Sequence, residues 1–367
     1  MWIHAPSASA AGGLLELSRR LIEEEIASVL FTSEEVIPSR ASLVADRPPL
    51  DTSRDVIEFL DHWKPDQAIF SDGEIRPALV HELGERGIPV MMVDAREPHL
   101  LRERDGWFPG LLRSSLQVFN RILALDDASA RAFRRAGASQ TAVQVVGRLE
   151  TESAVLPCLE AERAALAKLL ATRPVWLAAG LPEAEETAIV AAHRAALGLS
   201  HRLLLIVAPQ DSDRAAALAE KLASEQGWVV AQRALDEEPE PDVEVFIADG
   251  TVELGLWYRL APITFLGGSL AGKGCQRNPM EPAALGSAIL YGPRPGNFSG
   301  EFGRLGSARA ARAVGDARDL SEALADLMAP DKVARLAQAA WTVTSEGVEV
   351  TEHAIRTVRE LLEGTVA

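Results

Sequence analysis

Short, largely apolar runs separated by stretches with helical spacing restrict this chain more than any other feature. Ile263-Thr264-Phe265-Leu266, Ile88 to Val93 and Arg202 to Val207 are too short for helices and too apolar for a half-solvated sheet. Such runs read as strands of a parallel sheet covered on both faces. The first half supplies strands at Trp2–Ala5, Ser28–Thr32, Gln67–Phe70, Ile88–Val93, Ile122–Leu125 and Val143–Gly147. Ser7 to Gly13 reads as a small-residue loop, and Leu14 to Ile26 as the first helix. The alternation restarts at Val175–Ala179 and runs to Ala288–Tyr291, and Lys332–Trp341 and Thr351–Leu362 read as closing helices. The expected class is therefore α/β, with loops gathered at the C-terminal ends of parallel strands. The expected division is residues 1–150 as one domain, 151–172 as a connector, 173–345 as a second domain and 346–367 as a C-terminal helix. Two tandem halves of this kind predict a cleft for a ligand.

With 367 residues, two cores fit better than one. A net charge of −16 argues against nucleic acid as a partner, since phosphate contacts need clustered Lys and Arg. Cys158 and Cys275 form no C-x-x-C pair and fit a reducing compartment. No run approaches the roughly 20 apolar residues of a spanning helix, and MWIHAPS carries no signal-peptide pattern, so a cytoplasmic location is expected. Trp107-Phe108 is the candidate for a weak peripheral contact with the cytoplasmic face of an inner membrane. There is no G-x-G-x-x-G after the first strand and no G-x-S-x-G elbow, and His81-Glu82 lacks a second histidine for a metal.

The richest stretch is Phe265 to Pro293. A strand stops at Gly267-Gly268-Ser269, where bare backbone can approach a ligand. Asn278-Pro279-Met280-Glu281-Pro282 then reads as a helix start with proline in its first turn, and Gly286 as its end. A helix N-terminus suits a phosphate, and Glu281 can accept hydrogen bonds from ribose hydroxyls. Gly267 to Lys273 also fits the G-x-x-x-x-G-K spacing of a P-loop, but Gly274 replaces the magnesium-binding Ser or Thr and Pro279 interrupts the helix.

Taken together, Trp2-Ile3-His4-Ala5, Asp72 to Pro77, Gly87-Ile88-Pro89-Val90, Asp94-Ala95-Arg96, Glu253-Leu254-Gly255, Gly267 to Leu270, Asn278 to Gly286 and Gly292-Pro293 resemble one family. It is the 3-deoxy-D-manno-octulosonic acid (Kdo) transferases of lipopolysaccharide synthesis, and the resemblance covers essentially the whole chain. It implies a GT-B glycosyltransferase fold: two Rossmann-like domains facing a cleft, the N-terminal one on the acceptor side and the C-terminal one holding the donor. It implies inverting transfer of Kdo, or a related sugar, from a CMP-activated donor to a lipid A precursor-type acceptor, with no metal or other cofactor. Gly267, Gly268, Ser269, Asn278 and Glu281 are then the expected donor-binding residues, with Lys273, Arg277 or Arg294 supplying positive charge.

The departures concern the chemistry. Where the family follows W-I-H-A with S-V-G-E, this chain has Ser7-Ala8-Ser9-Ala10, so Ala10 stands at the position of the catalytic base. Glu16, on the following helix, reads as a surface residue. Glu74, with Asp72 beside it, is the candidate catalytic carboxylate. The family's S-T-H becomes Gly180-Leu181-Pro182, its P-R-H becomes Pro209-Gln210-Asp211, and Arg277 stands where His or Gln is common. The alternative expectation is a catalytically impaired relative that binds nucleotide sugar or a partner without transfer.

Overall fold

Seven strands in each half close into a parallel sheet. The computed structural model describes residues 1–34, 43–101, 110–149 and 155–365. It divides into two units, Met1–Ser153 with Glu346–Ala367, and Ala154–Ser345. Trp107-Phe108 lies outside the described residues.

The first unit contains β1 (Trp2–Ala5), β2 (Leu30–Ser33), β3 (Val44–Asp46), β4 (Ala68–Ser71), β5 (Glu74–Ile75), β6 (Val90–Ala95), β7 (His99–Leu100), β8 (Arg121–Ala124) and β9 (Val143–Val145). Its sheet runs β3-β2-β1-β4-β6-β8-β9, and β5 pairs with β7 in a separate two-stranded sheet. Alternation along each strand explains why the runs are apolar throughout. Trp2, Phe70, Met92 and Ile122 pack on one face, and Ile3, Ile69, Met91 and Leu123 on the other.

The helix after β1 starts earlier than the composition predicts. It spans Ala8–Glu23, capped by the Ser7 hydroxyl, which accepts from the Ala10 N–H at 3.3 Å. The expected loop is therefore the first turns of this helix, and Ala10 is buried within it. The C-terminal end also differs. Pro330–Thr365 is one helix of 36 residues rather than two. Gly347 and nearby β-branched residues weaken local propensity, but Val350, Ala354 and Val358, spaced by four, are buried in the first unit's core. Packing overrides propensity there. No helix among the described residues is long and apolar enough to cross a membrane.

The second unit contains β10 (Val175–Leu181), β11 (Leu204–Pro209), β12 (Val230–Gln232), β13 (Val245–Ile247), β14 (Ile263–Leu266), β15 (Ala288–Tyr291) and β16 (Ala311–Ala313), in the order β12-β13-β11-β10-β14-β15-β16. Leu177, Ile206, Phe246 and Ile289 fill one face, and Trp176, Leu205, Val245 and Phe265 the other. In each sheet the first strand of the unit lies inside the sheet, with later strands added on both sides.

Candidate active site

In the second unit the loop after β14 is built differently from the expectation. Gly267 is hemmed in by protein backbone: a Cβ there would lie 2.3 Å from the Gly180 carbonyl oxygen. Gly268 has φ +78°, and its Cβ would lie 2.5 Å from the Gly274 carbonyl oxygen. Ser269 is fully buried; its hydroxyl donates to the Leu266 carbonyl and accepts from the Gly292 N–H at 2.8 Å. That hydroxyl is a clasp between β14 and the segment after β15, with its hydrogen-bonding capacity turned inward.

The anion that occupies the loop is the protein's own. Glu185, fully buried at the head of the helical segment after β10, accepts from the Gly268 N–H at 2.8 Å, Leu270 at 2.7 Å and Ala271 at 2.6 Å. Burial pushes its carboxyl above the usual range even against these donors. Sequence reasoning missed Glu185. Its signal was an acidic residue at a position where the chain turns from a buried strand into a buried helix.

The next turn carries the other residues expected on the donor side. The helix at Met280–Ala284 has only five residues, so its dipole is small, and the expected phosphate position there must draw its charge from side chains. Asn278 lies just before its N-cap, Pro279, and its Oδ1 accepts from the Met280 N–H at 3.0 Å. Arg277 Nη2 donates to both Glu281 oxygens, at 3.1 and 3.0 Å, and the Tyr258 hydroxyl lies 3.4 Å from Glu281 Oε2. The Arg277 stem leans on Gly180, where a Cβ would approach its Cγ to 3.2 Å. Thus two departures from the family pattern, at residues 180 and 277, fit one another. Lys273 is exposed, whereas Arg294 donates to the Gly272 carbonyl at 2.6 Å and braces the loop.

In the first unit, Glu74 and Asp72 follow β4. Arg76, 3% exposed, donates through Nε to Glu74 Oε1 at 2.6 Å, and through its other nitrogens to the Pro49 carbonyl and Glu34, each at 3.2 Å. His4 Nε2 lies 3.6 Å from the same Glu74 oxygen. Burial holds His4 below the usual histidine range, so the cation beside Glu74 at neutral pH is Arg76. Burial by itself would raise the Glu74 carboxyl, but His4 and Arg76 outweigh it and hold the group below the usual range. Asp72, at φ +69°, has Oδ1 3.0 Å from Arg96 Nε, an ion pair whose N–H is not aimed at the oxygen.

Two further carboxylates are placed by the tertiary structure. Glu16 is 4% exposed, not a surface group, and accepts from Arg19 Nε at 2.9 Å. The helix turns it inward because its position falls among the buried residues Leu14, Leu17 and Ser18. Asp94, near the end of β6, has φ +46° and sits where the register against β8 shifts. Its Oδ1 accepts from the Leu149 N–H at 2.7 Å. Burial pushes its carboxyl up to about 6, against the pull of that N–H and of Arg148 and Arg96 and with the push of Asp72.

Residues 1–152 match the family model described as 3-deoxy-D-manno-octulosonic-acid transferase (kdotransferase). The chain is 30% identical over 369 residues to the 3-deoxy-D-manno-octulosonic acid transferase of Bordetella pertussis, covering 95% of this chain and 84% of that protein. It is 26% identical over 321 residues to the enzyme of the same name from Haemophilus influenzae, covering 87% and 75% respectively. Among solved structures, MurG of Acinetobacter baumannii superposes with a TM-score of 0.50 at 12% identity, over 98% of this chain and 99% of that one. The fold is that of the GT-B glycosyltransferases.

Proposed function

The chain belongs to the 3-deoxy-D-manno-octulosonic acid transferase family, and on that premise we propose that it moves Kdo, or a closely related sugar, from a CMP-activated donor to a lipid A precursor-type acceptor. The reaction is read as inverting and metal-independent, and its site as cytoplasmic, with the acceptor reached by peripheral contact at a membrane surface. The observation that carries this reading is Glu281. It is held in place beside Arg277 on the turn begun by Asn278, so a carboxylate for the ribose hydroxyls and a cation for the phosphate are set side by side. Lys273 adds a second cation for the donor. Gly267 and Gly268 support this site through the backbone and Ser269 through its hydroxyl, with Glu185 accepting from the Gly268 N–H. Glu74 and Asp72, set by Arg76 and Arg96, are assigned to orienting the acceptor.

A second reading, binding without transfer, is favoured by one feature: Ala10 is a buried helical residue with no proton-accepting group. A transfer assay with CMP-Kdo generated in situ and a lipid A precursor, run beside CMP calorimetry, separates the two. Sugar-modified acceptor is the result expected. CMP binding without transfer establishes the second reading, and loss of both removes the donor assignment.

A further inference from the structure

The base that the family carries at residue 10 is missing, yet the same corner of the first unit holds another carboxylate. We propose that Asp94 takes the proton from the acceptor hydroxyl, in place of the glutamate that Ala10 has displaced; this rests on the transferase reading above. Four features of the geometry carry it.

Asp94 lies near the C-terminal end of β6, a strand flanked by β4 and β8, and the C-terminal ends of such strands are where α/β sheets bind ligands. It stands in a register shift of β6 against β8, a device that re-aims a side chain beside a site. Its φ of +46° is a conformation that side-chain-bearing residues adopt at a cost, and such strain concentrates where function requires it. Finally, its carboxylate reaches the helix that carries Ala10. Asp94 Oδ2 lies 3.5 Å from where a Gly13 Cβ would stand, and Gly13 is three residues, one turn on the same face, from Ala10.

The two oxygens have separate duties. Oδ1 is fixed by the Leu149 N–H, while Oδ2 has no hydrogen-bond partner among the described residues. Glu74 and Asp72 are each ion-paired to an arginine, and Asp94 makes no ion pair among the described residues. The charged groups acting on it are Arg148, Arg96 and Asp72; Gly13 and Ala10 bring none from the facing helix, and Glu16 on the next turn is taken by Arg19. A carboxyl raised to about 6 accepts a proton from a hydroxyl better than the depressed Glu74.

In the step, the acceptor O–H bond breaks and its proton passes to Asp94 Oδ2. The freed oxygen pair forms the bond to the anomeric carbon of the sugar. The bond from that carbon to the phosphate oxygen breaks, and its electron pair leaves with CMP. Asp94 then returns the proton to water.

The experiment is the pH dependence and rate of transfer by the wild-type chain, Asp94→Asn and Asp94→Asn with Ala10→Glu. Asp94→Asn is expected to lower kcat by about 10²–10⁴-fold, with CMP affinity by calorimetry unchanged and no fall in Tm. The wild-type kcat/KM should lose activity on the acid side with a midpoint near 6, a readout that needs no variant. Ala10→Glu should recover transfer in the Asp94→Asn background, since it returns a carboxylate one helical turn away. Transfer by Asp94→Asn within threefold of wild type, about 0.65 kcal/mol, overturns the assignment while leaving the transferase reading intact. A wild-type chain that transfers nothing overturns that reading and takes the assignment with it.

Discussion

Arg277 spans both carboxylate oxygens of Glu281 through a single nitrogen, at 3.1 and 3.0 Å, from the turn immediately before it. The pair is partly exposed, so its worth lies less in stability than in fixing where the carboxylate points. The glycine at residue 180 is what leaves room for the arginine stem. The Glu281 carboxylate is thus oriented by the protein's own arginine.

Replacing Glu281 with alanine should therefore weaken CMP binding by about 10–100-fold, the range for losing one or two charge-assisted hydrogen bonds. Calorimetry on the folded variant measures it. An unchanged Kd would remove Glu281 from the donor site.

Glu185 is a different kind of residue, since three backbone N–H groups depend on it. Glu185→Gln presents an amide N–H₂ to at least one of those donors, and should cost about 2–4 kcal/mol in urea unfolding. CMP affinity should fall with it, because the loop carries Lys273 and leads into Arg277. A variant as stable as wild type would mean that the loop holds its shape unaided.

Glu74 and Asp94 should give stability opposite dependences on pH. The Glu74 carboxyl is depressed on folding, so the stability it contributes is present above its unfolded value and is lost as pH falls through the folded one. The Asp94 carboxyl is raised from 3.8 to about 6, so its stability is intact below 3.8 and is lost as pH rises through about 6. Asp94→Asn should accordingly stabilise the chain by about 1–3 kcal/mol at pH 7.5 and by almost nothing near pH 4. Denaturant midpoints of the variant and wild type at the two values check the sign. A gain that is equal at both would show that relief of the left-handed backbone, and not of the charge, is responsible.

Gly267→Ala tests whether that glycine serves the protein or a ligand. A Cβ 2.3 Å from the Gly180 carbonyl oxygen forces β10 and β14 apart, a cost of about 2–4 kcal/mol. Thermal unfolding without any nucleotide reads it, and an unshifted Tm would mean that the backbone does not require a glycine at residue 267.

Several features of the site were legible in the residues because they are local. Asn278 begins a turn, Gly286 takes φ +81° past the end of its short helix, and Glu281 follows at fixed spacing. Ser269 shows the limit: a serine after two glycines looks ready for a phosphate, yet its hydroxyl is consumed by Leu266 and Gly292. Glu16 shows the same limit from the other side, since an acidic residue just ahead of Arg19 and Arg20 reads as exposed until the face of its helix is known.

What the residues determine alone is the alternation. Runs such as Val175–Leu181 and Ile263–Leu266 are apolar on both faces and short, and a parallel sheet covered by helices is the arrangement that hides such strands. The tertiary structure decides which distant group completes each loop. Glu185 reaches Gly268 across 83 residues, Leu149 reaches Asp94 across 55, and Arg76 reaches Glu34 across 42. Periodicity encodes burial, which is a property of each residue and its near neighbours. A buried carboxylate's partner is set by which strand lies beside which, and that order follows from packing the whole sheet.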